Sequence, residues 1–266
     1  MSHGFRSLIR VGSALALLAL CLGAAGLAAL PVRADTAITA GADKKLKIWN
    51  IADGTVTKTI EAHDGAANAA VLSPDGKLLA TGGADKKIKL WNPTDGTLIQ
   101  TLDAHDGAVT SLFFLPDNSK LLSGGADKKV KVWKVENGKL QEKPLVAVEA
   151  HEGSVIGLFG TADMIISGGA DGMMTVWDAA GNPTISFPTE HEGGLTSMTP
   201  HPKERMLYTG GKDGKIKYWS QAAQGTFEGA QGSAVTALAV LPDGKNSSPA
   251  GPTARSKSGT PTRTSC

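Results

Sequence analysis

Side chains that could form a hydrolytic triad recur at fixed separations along this chain. One set is His105, Ser123 and Asp127, which supplies a base, a hydroxyl and a carboxylate. These types support acyl transfer when they converge on one site beside an oxyanion hole. The same types return in the neighbouring segments, however, and a catalytic site that is needed once has no reason to be copied in each segment. We therefore interpret the recurring residues as structural, and we predict no catalytic residue and no enzyme activity.

The recurring segments share an eleven-residue phrase that ends in tryptophan. It runs from Thr81 to Trp91 and returns at 123–133, 167–177 and 209–219, with a first copy at 39–49. The five tryptophans are 42, 42, 44 and 42 residues apart. A period of about forty residues accommodates four short strands and their turns, so the sequence predicts a repeat architecture.

The pattern inside one repeat predicts strands. Residues 108–115 are apolar and rich in β-formers, the run 116–118 is typical of a turn, and residues 129–133 alternate lysine with apolar side chains. No segment of the repeats has the periodicity of a helix. The fold is therefore predicted to be all-β.

The repeats resemble the WD-repeat family of β-propellers, whose unit of about forty residues carries a histidine before the first strand and a tryptophan in the third. The resemblance covers residues 35–245. Only Trp177-Asp178 spells the family dipeptide, but Asn or Ser at this position can still begin a turn. The resemblance implies a WD-repeat β-propeller of about five four-stranded blades, which could be incomplete or open, in a bacterial-type exported member of the family.

The resemblance also assigns the recurring polar residues to a structural tetrad within each blade. In such a tetrad the indole donates to the hydroxyl, the hydroxyl connects to the histidine, and the aspartate accepts from the histidine. The four sets are His63, Thr81, Asp85 and Trp91; His105, Ser123, Asp127 and Trp133; His151, Ser167, Asp171 and Trp177; and His191, Thr209, Asp213 and Trp219.

Residues 1–34 have the composition of a secretory signal. Arg6 and Arg10 precede an apolar stretch at 11–30, and small residues stand where a signal peptidase reads the chain before Ala34. We predict cleavage after Ala34 and a periplasmic or secreted protein. The alternative is an uncleaved membrane anchor, since the apolar stretch is long enough to span a bilayer.

The composition of the remaining chain argues against several partners and cofactors. Without Arg6, Arg10 and Arg33 of the signal, 24 basic residues stand against 25 acidic ones, which gives no case for nucleic acid. The lysine pairs at 44–45, 86–87 and 128–129 follow an aspartate and are interpreted as solvated turns. Neither His151-Glu152 nor His191-Glu192 has a further ligand at metal-binding spacing, so we predict no metal and no cofactor.

The carboxyl-terminal residues depart from the repeat in mid-blade. Residues 235–245 form a new first strand and turn, after which a second strand is due. Residues 246–266 are instead polar and rich in proline and serine, which predicts a disordered tail. Back-translated and read two bases later, the stretch from Asn246 can encode the missing half of the repeat. We therefore interpret the tail as the product of a reading-frame slip in a longer gene.

Closure of the propeller depends on its two ends. The first blade is expected to lack its inner strand, because the cleavage site directly precedes its second strand, while residues 234–241 supply a surplus inner strand. If the two ends join, they make a small five-bladed ring without exposed sheet edges. If they stay apart, the blades form an open arc. We favour an arc or a strained ring, since five blades are fewer than the family usually has.

Two classes of function remain. The first is a non-catalytic scaffold that binds a protein or peptide partner, with a membrane involved only if the amino-terminal segment is uncleaved. Its support is that no residue set occurs in one blade alone. The alternative is an exported propeller enzyme or ligand-binding protein that uses the central channel, with His201, Glu204 and Arg205 as unrepeated candidates. Because their turn matches the turn at 73–77, we favour the scaffold.

Overall fold

The chain folds into a row of small antiparallel sheets. The computed structural model describes residues 36–201, 206–220, 224–227, 233–240 and 247–250, in which there are 22 strands and no helix. Consequently, no helix that could span a membrane occurs in these residues. The prediction of an all-β fold is confirmed.

Each sheet is one blade, and its strands follow one another in chain order, except that β11 and β12 of blade 3 both pair with β10. Blade 1 consists of β1 (Thr36–Ala40), β2 (Lys45–Asn50) and β3 (Thr55–Glu61). Blade 2 consists of β4 (Ala67–Leu72), β5 (Leu79–Gly83), β6 (Lys87–Trp91) and β7 (Leu98–Asp103). Blade 3 consists of β8 (Val109–Phe114), β9 (Lys120–Gly125), β10 (Lys129–Glu136), β11 (Lys139–Leu140) and β12 (Val146–Glu149).

The remaining strands complete the row. Blade 4 consists of β13 (Val155–Gly160), β14 (Met164–Gly169), β15 (Met173–Asp178) and β16 (Pro183–Pro188). Blade 5 consists of β17 (Leu195–Pro200), β18 (Met206–Gly211), β19 (Ile216–Ser220) and β20 (Gln224–Thr226). Blade 6 consists of β21 (Ala237–Val240) and β22 (Ser247–Ala250). The first strands of blades 2 to 6 lie side by side in this order.

Alternating side chains explain the third strand of each blade. In β6, Ile88 and Leu90 are fully buried, while the alternating residues Lys87 and Lys89 are only partly buried. The turn before this strand places Lys86 in the left-handed region with φ 71°, and Lys44 and Lys128 adopt the same conformation at φ 70° and 67°. The lysine pairs therefore lie at the turn that begins the third strand.

The hydrophobic core lies largely between neighbouring blades. Val109 at the start of β8 is fully buried against Gly82 of blade 2, and Val155 at the start of β13 is buried against Gly124 of blade 3. A Cβ atom on either glycine would lie inside van der Waals distance of the valine. The first glycine of each Gly-Gly pair therefore makes room for the next blade.

Side-chain hydrogen bonds also connect successive inner strands. The Asn68 amide nitrogen of blade 2 donates to the carbonyl oxygen of Val109 in blade 3 at 3.0 Å. The equivalent residue of blade 3 is Thr110, whose hydroxyl donates to the carbonyl oxygen of Val155 in blade 4 at 2.5 Å. Each bond satisfies a backbone acceptor of the next blade and fixes the two strands relative to each other.

The joint between blades 4 and 5 lacks this polar connection. In blade 5 the Thr196 hydroxyl makes the equivalent hydrogen bond and donates to the carbonyl oxygen of Val235 in blade 6. Blade 4 has Ile156 at the equivalent position, and this side chain has no polar group. Met198 of blade 5 instead lies against Gly157 of blade 4. Contact between the inner strands at this joint is therefore apolar, whereas the joints between blades 2 and 3, blades 3 and 4, and blades 5 and 6 have a side-chain hydrogen bond.

The two ends of the row are not joined within the described residues. There β1 pairs with β2 and β21 pairs with β22, and no ladder connects β1 with β21. Blade 1 accordingly has three strands. The prediction of an incomplete propeller is confirmed, and the described residues do not close into a five-bladed ring. The expected signal at residues 1–34 lies outside the described residues.

Strand β22 lies in the segment that the sequence predicts to be disordered. Its residues pair with β21 so that Ala237 faces Ala250, as Ala69 faces Gly82 in blade 2. It therefore occupies the position of a second strand. The remainder of the expected tail, residues 251–266, lies outside the described part of the chain.

Candidate functional site

Four side chains meet between the first three strands of blade 3. The indole Nε1 of Trp133 in β10 donates to the Oγ of Ser123 in β9 at 2.8 Å. The Nε2 of His105, which precedes β8, lies 2.8 Å from the same oxygen. The Nδ1 of His105 lies 2.9 Å from Oδ1 of Asp127 in the turn before β10. The hydroxyl is fully buried, so one hydrogen-bonded chain joins three segments of the blade.

Blades 2 and 5 contain the same bonds. Each indole Nε1 and each histidine Nε2 lies 2.9 Å from the threonine oxygen, and each Nδ1 lies 2.9 or 3.1 Å from the nearer carboxylate oxygen. The residues are His63, Thr81, Asp85 and Trp91 in blade 2, and His191, Thr209, Asp213 and Trp219 in blade 5. The structure therefore brings both predicted sets together.

Blade 4 brings its set together with one weaker contact. His151 Nε2 and Trp177 Nε1 lie 2.8 and 2.9 Å from the Oγ of Ser167. His151 Nδ1 lies 3.3 Å from Oδ2 of Asp171, a distance within ion-pair range, yet the atoms lack hydrogen-bond geometry. The segment from His151 to Ser167 is two residues shorter than the equivalent segments of the other blades, and the distance from the histidine Nδ1 to the carboxylate is longer than in those blades.

Burial sets the protonation state of the tetrad histidines. It lowers the pKa of all four below the usual value, although the neighbouring aspartate acts in the opposite direction. Burial alone would raise the pKa of Asp127, but hydrogen bonds from the Asp106 backbone N–H and from His105 lower it overall. A carboxylate only accepts, so we assign the proton of the neutral histidine to Nδ1, and Nε2 accepts from the hydroxyl.

This arrangement gives the tetrad hydroxyls no route to a substrate. Thr81, Ser123, Ser167 and Thr209 are all fully buried. In each tetrad the hydroxyl proton is directed at the histidine, and the oxygen accepts from the tryptophan indole. A nucleophile for acyl transfer must instead face a space that the substrate carbonyl can enter. The geometry therefore supports a structural role.

The second glycine of each Gly-Gly pair makes room for the tetrad. A Cβ atom on Gly125 would overlap the Asp127 carboxylate and the His105 ring, and Gly83, Gly169 and Gly211 have the same surroundings in their blades. All four residues have φ outside the left-handed region, so space and not backbone conformation requires glycine here. In the sequence these glycines are recognisable only as neighbours of the Ala-Asp or Lys-Asp turn that follows them.

Blade 1 carries part of the same arrangement. Trp49 Nε1 donates to Thr39 Oγ1 at 2.8 Å, as in the other blades. Asp43, at the position of the tetrad aspartate, instead accepts from Lys47 Nζ at 2.9 Å. The described residues begin at β1, so the position of the histidine lies outside them.

Blade 3 contains a hairpin without a counterpart in the other described blades. Strands β10 and β11 are joined by Asn137 and Gly138, which both have positive φ, at 52° and 73°, as a two-residue hairpin turn requires. Leu140 at the end of β11 is buried against blade 2. Gln100 of β7 accepts from its backbone N–H and donates to its carbonyl oxygen, both at 2.8 Å.

A groove of about 450 Å³ lies between blades 2 and 3 beside this hairpin. Its apolar lining consists of Leu78, Ile99, Phe114 and Val135. Its polar lining includes Asp75, Lys77, Asn118 and Asn137. The Asp75 backbone N–H donates to Asn118 Oδ1 at 3.0 Å, which ties the two blades together at one side of the groove.

The expectation that no residue set is confined to one blade is therefore wrong. The signal for this surface was the 44-residue spacing between Trp133 and Trp177, because the extra residues build the hairpin. The contact between Gln100 and Leu140 had no sequence signal, since the two residues are distant in sequence and follow no repeat.

The residues proposed for a channel enzyme are only partly described. His201 follows β17 and is buried, with its ring centroid 6.1 Å from that of Tyr208 and its backbone N–H donating to Met206 at 2.9 Å. Glu204 and Arg205 lie outside the described residues. In the part of the chain that the structure describes, no three His, Cys, Asp or Glu side chains are grouped as a metal site requires.

A row of antiparallel blades, four of which are fixed by a buried set of tryptophan, hydroxyl, histidine and aspartate, defines a β-propeller of the WD-repeat type. The family model for the WD domain, G-beta repeat (WD40), matches residues 54–92, 96–134, 142–178 and 181–220, which together make up more than half of the chain. The chain belongs to the WD40 family.

Among solved structures, a chain in the crystal structure of a mitotic checkpoint complex is similar to this one, with a TM-score of 0.71 and 20% sequence identity. The match covers 82% of this chain and 71% of that chain. At this identity the likeness shows the fold alone.

Proposed function

We propose that this protein is a non-catalytic scaffold that binds a protein or peptide partner. The observation that carries the proposal is the groove between blades 2 and 3, which is lined by the unrepeated hairpin. WD40 propellers generally bind protein partners, and the similar solved chain belongs to a protein complex. The tetrads, whose residue types resemble hydrolytic triads, hold the blades together.

The lining of the groove suits an uncharged segment of a partner. Its volume of about 450 Å³ is within the range of sites that enclose a bulky side chain or a small ligand. The two charged groups of its lining, Asp75 and Lys77, are 3.7 Å apart and largely balance each other. An apolar side chain can therefore lie against Ile99 and Val135, while the partner's backbone meets the Asn137 amide at the rim.

Affinity capture with two charge substitutions tests the proposal. Ile99→Lys places an ammonium group in the apolar lining, whereas Ile185→Lys places one on the outer strand of blade 4, where the native side chain is 60% exposed. Immobilised full-length protein should capture a saturable partner from secreted or periplasmic extract. We expect the first variant to lose this partner and the second to retain it, with both giving the wild-type circular dichroism spectrum.

The lack of any saturable partner would refute the scaffold. Equal capture by both variants would remove the groove as its binding site. Hydrolysis of a chromogenic ester or glycoside by the wild type, above the rate of a heat-denatured sample, would favour the channel enzyme instead.

We also propose that the protein is an exported, bacterial-type member of the family. The support is the order of Arg6 and Arg10, the apolar stretch 11–30 and the small residues before Ala34. Mass spectrometry of the protein from its own cells tests this: an amino terminus at Asp35 in the exported fraction is expected. Recovery of residues 1–34 in the membrane fraction would identify an anchor, and recovery of the intact chain from the cell interior would refute export.

A further inference from the structure

The turn between β10 and β11 has the chemistry of a spontaneous modification site. Asn137 and Gly138 are both exposed, and a Cβ atom added to Gly138 would meet no atom within 4 Å. The Asn137 side chain makes no hydrogen bond to the described residues, and neither does the Gly138 backbone N–H. The amide carbon of Asn137 and the nitrogen that follows it are therefore both open to reaction.

The other described asparagines have their side chains occupied. Asn50 and Asn92 accept from backbone N–H groups, Asn68 donates to a backbone carbonyl, and Asn182 donates to a carboxylate. Asn118 provides the closest comparison, because it also has a positive φ, of 59°, and lies in a turn, where it is half-buried. Its Oδ1 accepts from Asp75, and the N–H of the next residue, Ser119, donates to Asp117 Oδ1 at 3.0 Å.

We propose that Asn137 deamidates spontaneously through a cyclic imide with Gly138. The Gly138 nitrogen attacks Cγ of Asn137 and loses its proton, the Cγ–Nδ2 bond breaks, and ammonia leaves. Water then opens the five-membered ring. Cleavage of the bond between the Gly138 nitrogen and Cγ gives aspartate, and cleavage of the bond to the main-chain carbonyl gives isoaspartate. No oxidant or reductant is needed, and glycine favours the attack because it has no side chain to obstruct it.

Each product changes the hairpin in a different way. Aspartate at position 137 adds a negative charge at the rim of the groove. Lys77 lines the same groove, although it lies 60 residues earlier in the sequence. Isoaspartate routes the main chain through Cβ and Cγ, so it adds one backbone atom to a two-residue turn whose flanking residues Glu136 and Lys139 are paired. The bonds from Gln100 to Leu140 then no longer fit the hairpin. Any effect on a partner rests on the proposed function, whereas the reaction itself does not.

Peptide mapping by mass spectrometry tests the reaction on the full-length protein. After incubation at neutral pH, we expect the peptide that contains Asn137 to gain about one mass unit, as aspartate and isoaspartate, while the peptide that contains Asn118 remains unchanged. Amide exchange at Leu140 should accelerate in the incubated wild type and stay slow in Asn137→Gln, whose longer side chain cyclises far less readily. Unchanged Asn137 at a time when the urea-unfolded chain has lost it would overturn the proposal, and so would conversion of Asn118 at the same rate.

The outcome is independent of the groove test. Deamidation with capture that is insensitive to Ile99→Lys would leave the modification in place and remove the groove from the proposed function. Loss of capture in Ile99→Lys without deamidation would support the groove and overturn the modification site.

Discussion

Removal of the hydroxyl from the tetrad of blade 3 should destabilise the protein strongly for so small a change. Ser123→Ala leaves the Trp133 indole N–H and the His105 Nε2 without their partner at a fully buried position. A buried polar group that loses its partner costs about 1–3 kcal/mol. Two such groups give about 2–6 kcal/mol, which is a large part of the roughly 5–15 kcal/mol that stabilises a typical domain.

The same substitution one strand away provides the control. Ser111 in β8 has a buried hydroxyl with no hydrogen-bond partner among the described residues. Ala69 and Ala237 occupy the equivalent position in blades 2 and 6. Ser111→Ala therefore removes an unsatisfied group and should leave the free energy of unfolding unchanged or raise it by up to about 1 kcal/mol.

Equilibrium unfolding in urea compares the two variants with the wild type. Tryptophan fluorescence and far-ultraviolet circular dichroism should both be followed, because repeat arrays can unfold in more than one step. We expect Ser123→Ala to lower the free energy of unfolding by about 2–6 kcal/mol, which lowers the urea midpoint. Ser111→Ala should leave the midpoint unchanged or raise it slightly. A change of less than about 0.5 kcal/mol for Ser123→Ala, or equal losses for both variants, would refute the hydrogen-bonding argument.

Three further predictions follow from the structure and one from the sequence. The folded state favours the neutral form of all four tetrad histidines, so the stability that they contribute is complete above the usual pKa of 6.5 and is lost as the pH falls below it. The urea midpoint should therefore be lower at about pH 5.5 than at about pH 7.5. A midpoint that does not change with pH would contradict the assignment. Gly125→Ala should cost about 1–3 kcal/mol in thermal unfolding because its Cβ overlaps Asp127 and His105, and a wild-type melting temperature would show that the tetrad can move aside. Gln100→Ala should accelerate amide exchange at Leu140, while Gln141→Ala, which removes a bond to exposed Glu136, should not; equal rates would mean that Gln100 does not hold the hairpin. Sequencing of the coding DNA across codons 244–250 should find one missing base, after which the frame continues through Gly-Gly-Ala-Asp and a tryptophan; an intact frame would mean that the tail is native.

The features that sequence could predict are those that every blade repeats. His63, Thr81, Asp85 and Trp91 could be grouped because the same types return in register, and the structure brings them within hydrogen-bonding distance. The strands could be predicted for the same reason, because a segment whose pattern is ambiguous in one repeat can be compared with the equivalent segments of the other repeats. The role of Gly83 was missed, because the space it leaves for the His63 ring appears only after the strands are packed.

Features that occur once were beyond the reach of the repeat pattern. The residues after Trp133 do not follow the repeat, so the repeat pattern predicts no structure for them. In the folded chain they form the hairpin and one side of the groove. The bonds from Gln100 to Leu140 depend on how two blades sit beside each other, which no local pattern encodes. The longer contact between His151 and Asp171 likewise depends on a segment whose length, not its composition, differs from its counterparts.

The apolar joint between blades 4 and 5 gives the row uneven stiffness. A hydrogen bond is directional and resists sliding of one strand along another, as in the bond from Thr110 to the carbonyl of Val155. Contacts such as those of Met198 have no preferred direction, and methionine adjusts to small displacements. Among the joints between blades 2 and 6, the curvature can therefore change most readily at Ile156, so that blades 5 and 6 tilt together while blades 2 to 4 keep their relative positions.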